Sequence, residues 1–151
     1  MEYVMLIKVL IAAGLGSVIG FEREISRKVA GIRTHALVSL ASALFTSISV
    51  DAFRDQALSA GYDPTRIISN IIVGIGFIGA GAILKKNERV EGTTTAAGLW
   101  AVAAIGVTVG VGFYKEAVVI TFLVYSILQS LWIIEKKLRN KFGLKSDHVD
   151  Y

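Results

Sequence analysis

Five long apolar runs, separated by short charged segments, leave this chain few ways to fold. They cover residues 3–21, 34–53, 67–84, 93–114 and 117–134. A helix needs about 20 apolar residues, with a range of roughly 17–25, to cross the hydrocarbon core of a bilayer. Each run falls in that range, and each is apolar all round rather than on one stripe, which suits lipid better than water. The hydrophobicity is continuous rather than alternating, so a transmembrane barrel is excluded and helices remain. The sequence therefore predicts an all-α membrane protein: a compact bundle of five transmembrane helices over residues 1–134 and a short basic tail over 135–151. Lys8 lies near one end of the first run and is expected to snorkel to the interface.

Charge gathers between the runs, although the mean hydropathy of the whole chain is +0.61. Lysines and arginines then set the orientation. One side holds twelve of them: Arg23, Arg27, Lys28, Arg33, Lys85, Lys86, Arg89 and five in the tail. The other side holds Arg54, Arg66 and Lys115. The N-terminus is expected outside and the C-terminus in the cytoplasm. This asymmetry explains the net charge of +4 as a topology signal, without nucleic acid. There is no cysteine, so disulfides, iron–sulfur clusters and thiol nucleophiles are excluded. A lysine inside the first run, and no small-residue cleavage site after it, argue against a cleaved signal peptide.

Within the third run, GIGFIGAG (74–81) carries the glycine spacing of a dinucleotide-binding fingerprint. That reading fails without a preceding strand, a soluble crevice and an acidic partner roughly 20 residues on. Gly74 and Gly81 fall on one side of a helical wheel, with Asn70, and Gly76 and Gly79 on the other. Two readings stay open: a packing helix thinned on two faces, or a segment unwound at its glycines to expose backbone to an ion.

The densest polar stretch is FEREISRKVAGIRTH, residues 21–35. If the first helix continues, Glu24 and Lys28 form an i,i+4 pair. Glu22, Arg23 and Glu24 abut an apolar span, where ionisable groups pair or face a cavity. The topology brings KKNERVEG and Thr93, Thr94 and Thr95 to the same side, and these threonines suit a helix cap. Glu22, Arg23, Glu24, Arg33, Thr34, Thr94 and Thr95 thus form a candidate functional cluster. Glu22 and Glu24 are the residues for a magnesium ion if one binds, and they can equally pair with the arginines. On the other side, Asp63 reads as a helix cap ahead of Pro64, beside Arg66 and Asn70. Asp51 is expected to pair with Arg54 or Arg66, or to line a vestibule. His35 and His148 have no zinc-type spacing, no catalytic constellation is found, and no enzymatic activity is expected.

Taken in order, GSVIGFERE (16–24), KVAGIRTHALV (28–38), DPTRI (63–67), GIGFIGAGAIL (74–84) and TTTAAGLWAVAAIG (93–106) resemble the MgtC/SapB family of bacterial inner-membrane proteins. The resemblance implies a five-span module that supports growth or survival when magnesium is scarce, including within host cells for pathogenic members. It implies magnesium transport or sensing, with the ion as ligand or substrate and no other cofactor. The alternative it carries is a non-transporting regulator that binds another membrane protein, such as the ATP synthase. Partners are then the lipid bilayer, a second copy of the chain or another membrane protein. The family's motif positions fall on Glu22, Arg23, Arg33, Thr34, Asp63, Arg66, the glycines of span three, Thr94, Thr95 and Trp100. Many relatives carry a soluble C-terminal domain where this sequence has a short tail. Asn70 and Thr93 stand where relatives often have glutamine and leucine.

Overall fold

The computed structural model describes residues 2–52, 63, 65–86 and 89–142. Phe53 and Arg54, Pro64, Asn87 and Glu88, and the tail from Gly143 with Lys145 and His148 lie outside the described residues. Five helices carry the chain: α1 (Glu2–Ile25), α2 (Ile32–Ser47), α3 (Thr65–Gly81), α4 (Thr93–Val111) and α5 (Tyr114–Phe142). Each predicted run has its helix, with shifted ends. The second run continues beyond α2 as a π-helical turn, Ile48–Ala52. The third run stops at Gly81, and α5 extends through what the sequence assigned to the tail, as far as Phe142. Two helical segments, Tyr3–Ile25 and Thr93–Val111, are long and apolar enough to cross a membrane, and Thr65–Gly81 is a shorter apolar helix.

Helix ends explain the connections. At the end of α1, Arg27 takes a left-handed φ of 49°. Its N–H bonds Glu24 O, and that of Lys28 bonds Arg23 O. This is the Schellman arrangement, here with arginine where glycine is usual. The helix therefore ends before Lys28, and the expected Glu24–Lys28 helical pair does not form. The same closure ends α4, where Gly112 has φ 106° and the N–H groups of Gly112 and Phe113 bond Val109 O and Thr108 O.

The charged segment before α4 contains a hairpin, β1 (Leu84–Lys86) paired antiparallel to β2 (Arg89–Glu91). It returns through Gly92, whose φ is 87°; a Cβ there would stand 1.9 Å from Ala82 O. Gly92 itself is the N-cap of α4 and no side chain caps that end, so the expected threonine cap is absent.

Helix α2 packs against both α1 and α4, which also touch each other. Close approach is set by two glycine pairs spaced i,i+4. In α1, added Cβ atoms would come within 2.6 Å of His35 O at Gly16 and of Ile32 Cα at Gly20. In α4, they would come within 2.2 Å of Ser39 O at Gly106 and 2.6 Å of Thr46 Cβ at Gly110. Small residues let helix backbones approach in this way. Helix α3 lies at the side of α4. Its Gly79 would meet only Ala96, at 3.5 Å, and Gly74, Gly76 and Gly81 have nothing within 4 Å. The third run is thus neither packed closely against two neighbours nor unwound: α3 runs continuously through all four glycines.

Candidate functional site

Polar side chains share the interior of the bundle with an apolar core that includes Ile19, Leu99 and Ile105, and many large apolar side chains lie outside it. Lys8, Glu22, Arg23, His35, Ser39, Thr46, Ser47 and Thr95 are buried, whereas Leu10, Phe77 and Phe122 are each more than half exposed. Two charged groups occupy the two ends of this interior.

The first group sits where α1 ends and α2 and α4 begin. Close packing of Gly20 on Ile32 and His35 carries the following turn of α1 against the start of α2. There Arg23 Nε donates to Glu22 Oε2, and Ser26 Oγ donates to Glu22 Oε1 at 2.9 Å. Both residues of the pair are about 95% buried, so neither charge is screened by water. Glu24 does something different. It is exposed, and its Oε2 accepts the Ile32 N–H at 3.1 Å, placing a carboxylate at the N-terminus of α2.

His35, one turn into α2, is fully buried. Its Nδ1 stands 2.9 Å from Gly31 O; a carbonyl only accepts, so Nδ1 carries the proton of that bond. Its Nε2 has no partner and lies 3.6 Å from where a Cβ on Gly98 would be. Of the other predicted residues, Thr95 is buried, Thr34 is half-buried, and Arg33 and Thr94 are exposed. The structure therefore brings Glu22 and Arg23 together and leaves Glu24, Arg33 and Thr94 at the surface. Among the described residues, no group of three or more carboxylate or imidazole side chains is arranged to hold a metal. Both oxygens of Glu22 already have protein partners.

The second group was not anticipated. Lys8 does not snorkel outward: it is 4% exposed, and its Nζ donates to Asp51 Oδ2 at 2.5 Å and to Gly110 O at 2.9 Å. Asp51 therefore pairs with Lys8, and among the described residues no arginine is its partner; the π-helical turn carries it to α1 and α4. Gly110 O belongs to the last turn of α4, where carbonyls lack helical partners. It also accepts from Ser47 Oγ at 3.3 Å. The sequence signals were Lys8 within VMLIKVLI and the spacings GSVIG (16–20) and GVTVG (106–110), which place tight contacts on α1 and α4.

At the start of α3, Asp63 acts as the sequence predicts. Its Oδ1 accepts the Thr65 N–H at 2.9 Å and the Thr65 hydroxyl at 2.7 Å. These two bonds hold its carboxyl below the usual aspartate range, with a smaller contribution from Arg66. Arg66 and Asn70 are exposed. Asn70 lines a cavity of about 430 Å³ between α2 and α3, with Val38, Phe45, Gly74 and Ile78.

A helical bundle with charges buried inside and apolar side chains outside defines the class, and sequence comparison defines the family. The profile of the MgtC family matches residues 9–137, and the chain belongs to that family. It is 42% identical over 132 residues to "Putative magnesium transporter YhiD" of Escherichia coli K12, covering 83% of this chain and 61% of that one. Protein SapB of Bacillus subtilis is 38% identical, covering 87% of this chain and 59% of its own length. Protein MgtC of Brucella abortus is 41% identical, covering 75% and 45%. The chain thus spans about 60% of the length of the first relatives it matches. No solved structure matches.

Proposed function

We propose that this chain is a non-enzymatic, multi-pass inner-membrane protein that handles magnesium, moving or sensing the ion when it is scarce. Its five helices cross the membrane, with the N-terminus outside and the C-terminus in the cytoplasm. The observation that carries the reading is the inverted interior: Lys8, Glu22 and Arg23 are buried while Leu10, Phe77 and Phe122 face outward. In water that distribution would be reversed. Ionisable groups turned to the inside of a membrane bundle mark ion pathways and sites. Membership of the MgtC family, and a relative whose name carries magnesium transport, supply the ion. Glu22 is the acidic group at the cytoplasmic end, with Arg23 as its counter-ion while no metal competes.

One observation favours a second reading, a regulator that docks on another membrane protein or on a second copy. Helix α3 leaves Gly76 uncovered on one side, and Gly74 and Gly81 on the other with the exposed Phe77 and Ile78. Surfaces of this kind fit neighbouring helices.

Magnesium flux into liposomes, read by an internal dye, tests the first reading with Glu22→Gln as the paired control. Flux that vanishes in a folded Glu22→Gln protein supports transport through the Glu22 end. Absence of flux in both, in correctly folded protein under either gradient, refutes transport. The regulatory reading then predicts that Gly76→Leu abolishes capture of the partner while Glu22→Gln leaves it intact.

A further inference from the structure

The Lys8 ammonium sits in surroundings built for a cation. It is held by one carboxylate oxygen of Asp51 and by the free carbonyl of Gly110, which Ser47 also bonds. Thr46 packs its Cβ at the Gly110 position and carries a fully buried hydroxyl oxygen with no partner. The last turn of α4 adds the negative end of a helix dipole. Asp51 remains 28% exposed on its side chain, so the site is not sealed. Oxygen donors of these kinds are the ligands of hard metal ions. The charge count selects among them. One carboxylate balances one ammonium, and a monovalent ion in place of the ammonium preserves that balance. A divalent ion leaves an uncompensated positive charge in a poorly solvated interior.

We propose that the Asp51–Gly110–Ser47 cage is a site for a monovalent alkali cation, sodium or potassium, for which the Lys8 ammonium is a tethered competitor. Binding of the metal displaces Lys8, whose four-carbon stem lets the ammonium leave without movement of α1. The cage lies about 14 residues along α1 from Glu22, or roughly 21 Å at the helical rise, so it is a site distinct from the proposed magnesium end. It stands whether or not magnesium is moved.

The test measures thermal unfolding in detergent of the native chain, Lys8→Met, Lys8→Ala and the double variant Lys8→Met/Asp51→Asn. Sodium, potassium and magnesium chlorides are compared with choline chloride at equal ionic strength. Sodium or potassium is expected to raise the melting temperature of both single variants by roughly 3–6 °C at ten times the dissociation constant. The native chain should rise less and the double variant not at all. In the native chain, the favoured alkali ion should also increase modification of Lys8 by an amine-reactive probe. The proposal is overturned if the single variants show no alkali-specific rise, or if the double variant shows the same one. It is equally overturned if magnesium gives the larger rise, if Lys8 stays protected, or if both single variants remain unfolded at every salt concentration.

Discussion

Replacing Gly106 with alanine adds a single methyl group, and the structure states what it meets. The new Cβ would stand 2.2 Å from Ser39 O and 2.8 Å from Ser42 Cβ. Ordinary contact begins near 3.4 Å, so α2 and α4 must separate by about 1.2 Å at this level. The obstacle is a backbone carbonyl on α2, which no rotamer change removes. Overpacking of this kind costs about 1–3 kcal/mol, and the upper end applies because the strain reaches the adjacent Gly110 contact as well. Alanine at Gly76 is the matched control. Nothing lies within 4 Å of its Cβ, and alanine is favoured over glycine inside a helix by about 1 kcal/mol. Reversible unfolding in mixed micelles, followed by circular dichroism, should give a loss of about 2–3 kcal/mol for Gly106→Ala. Gly76→Ala should match or exceed the native stability. Equal stability of the two variants, or greater damage from Gly76→Ala, refutes the assignment of close packing between α2 and α4.

Three further outcomes follow from single contacts. Lys8→Met and Asp51→Asn should each cost about 2–3 kcal/mol in choline salts, below the roughly 3–5 kcal/mol of a sealed pair because Asp51 reaches solvent. The double variant should lose less than the sum of the two, a coupling that the same unfolding assay measures. Gly92→Ala forces a left-handed backbone and a 1.9 Å clash with Ala82 O, so it should destabilise the turn into α4 and speed amide exchange in the first turn of that helix. Asp63, with its carboxyl held below the usual range, contributes its cap above the unfolded-state value and loses it as pH falls through the lower folded value. Protection of the Thr65 and Arg66 amides, taken relative to their intrinsic exchange rate at each pH, should fall over that acidic window, and Asp63→Ala should abolish this pH dependence of protection.

The helices were legible because each apolar run is long and continuous enough to make one helix, and two of them, Tyr3–Ile25 and Thr93–Val111, are long and apolar enough to cross a membrane. Their order of packing was not. GIGFIGAG drew attention to α3 because its glycines are dense, yet density does not say which neighbour arrives, and at three of its four glycines no neighbour comes within 4 Å of an added Cβ. GSVIG and GVTVG each offer only two glycines, and their value depends on α2 packing against both α1 and α4. That is a tertiary fact, invisible in either segment alone.

The candidate site divides in the same way. Glu22 and Arg23 were found because charge beside an apolar run is conspicuous. Glu24, two residues from Glu22, was grouped with it although the chain turns at Arg27 and sends its carboxylate to the start of α2. Lys8 and Asp51 are 43 residues apart, and each has an innocent local reading as an interfacial charge. Only the π-helical turn, which no sequence pattern announced, carries Asp51 to Lys8. Arg54, one of the two arginine partners expected for Asp51, lies outside the described residues.

Everything proposed for function depends on the bundle standing across the membrane, with the Lys8–Asp51 end outside and the Glu22–Arg23 end inside. The absence of native cysteine makes this directly measurable with single cysteines at Asp63, Lys28 and Lys115. A membrane-impermeant maleimide applied to intact spheroplasts should label the cysteines at 63 and 115 and leave the one at 28 unlabelled until the cells are opened. Labelling of position 28 from outside, or of all three positions alike, contradicts the account.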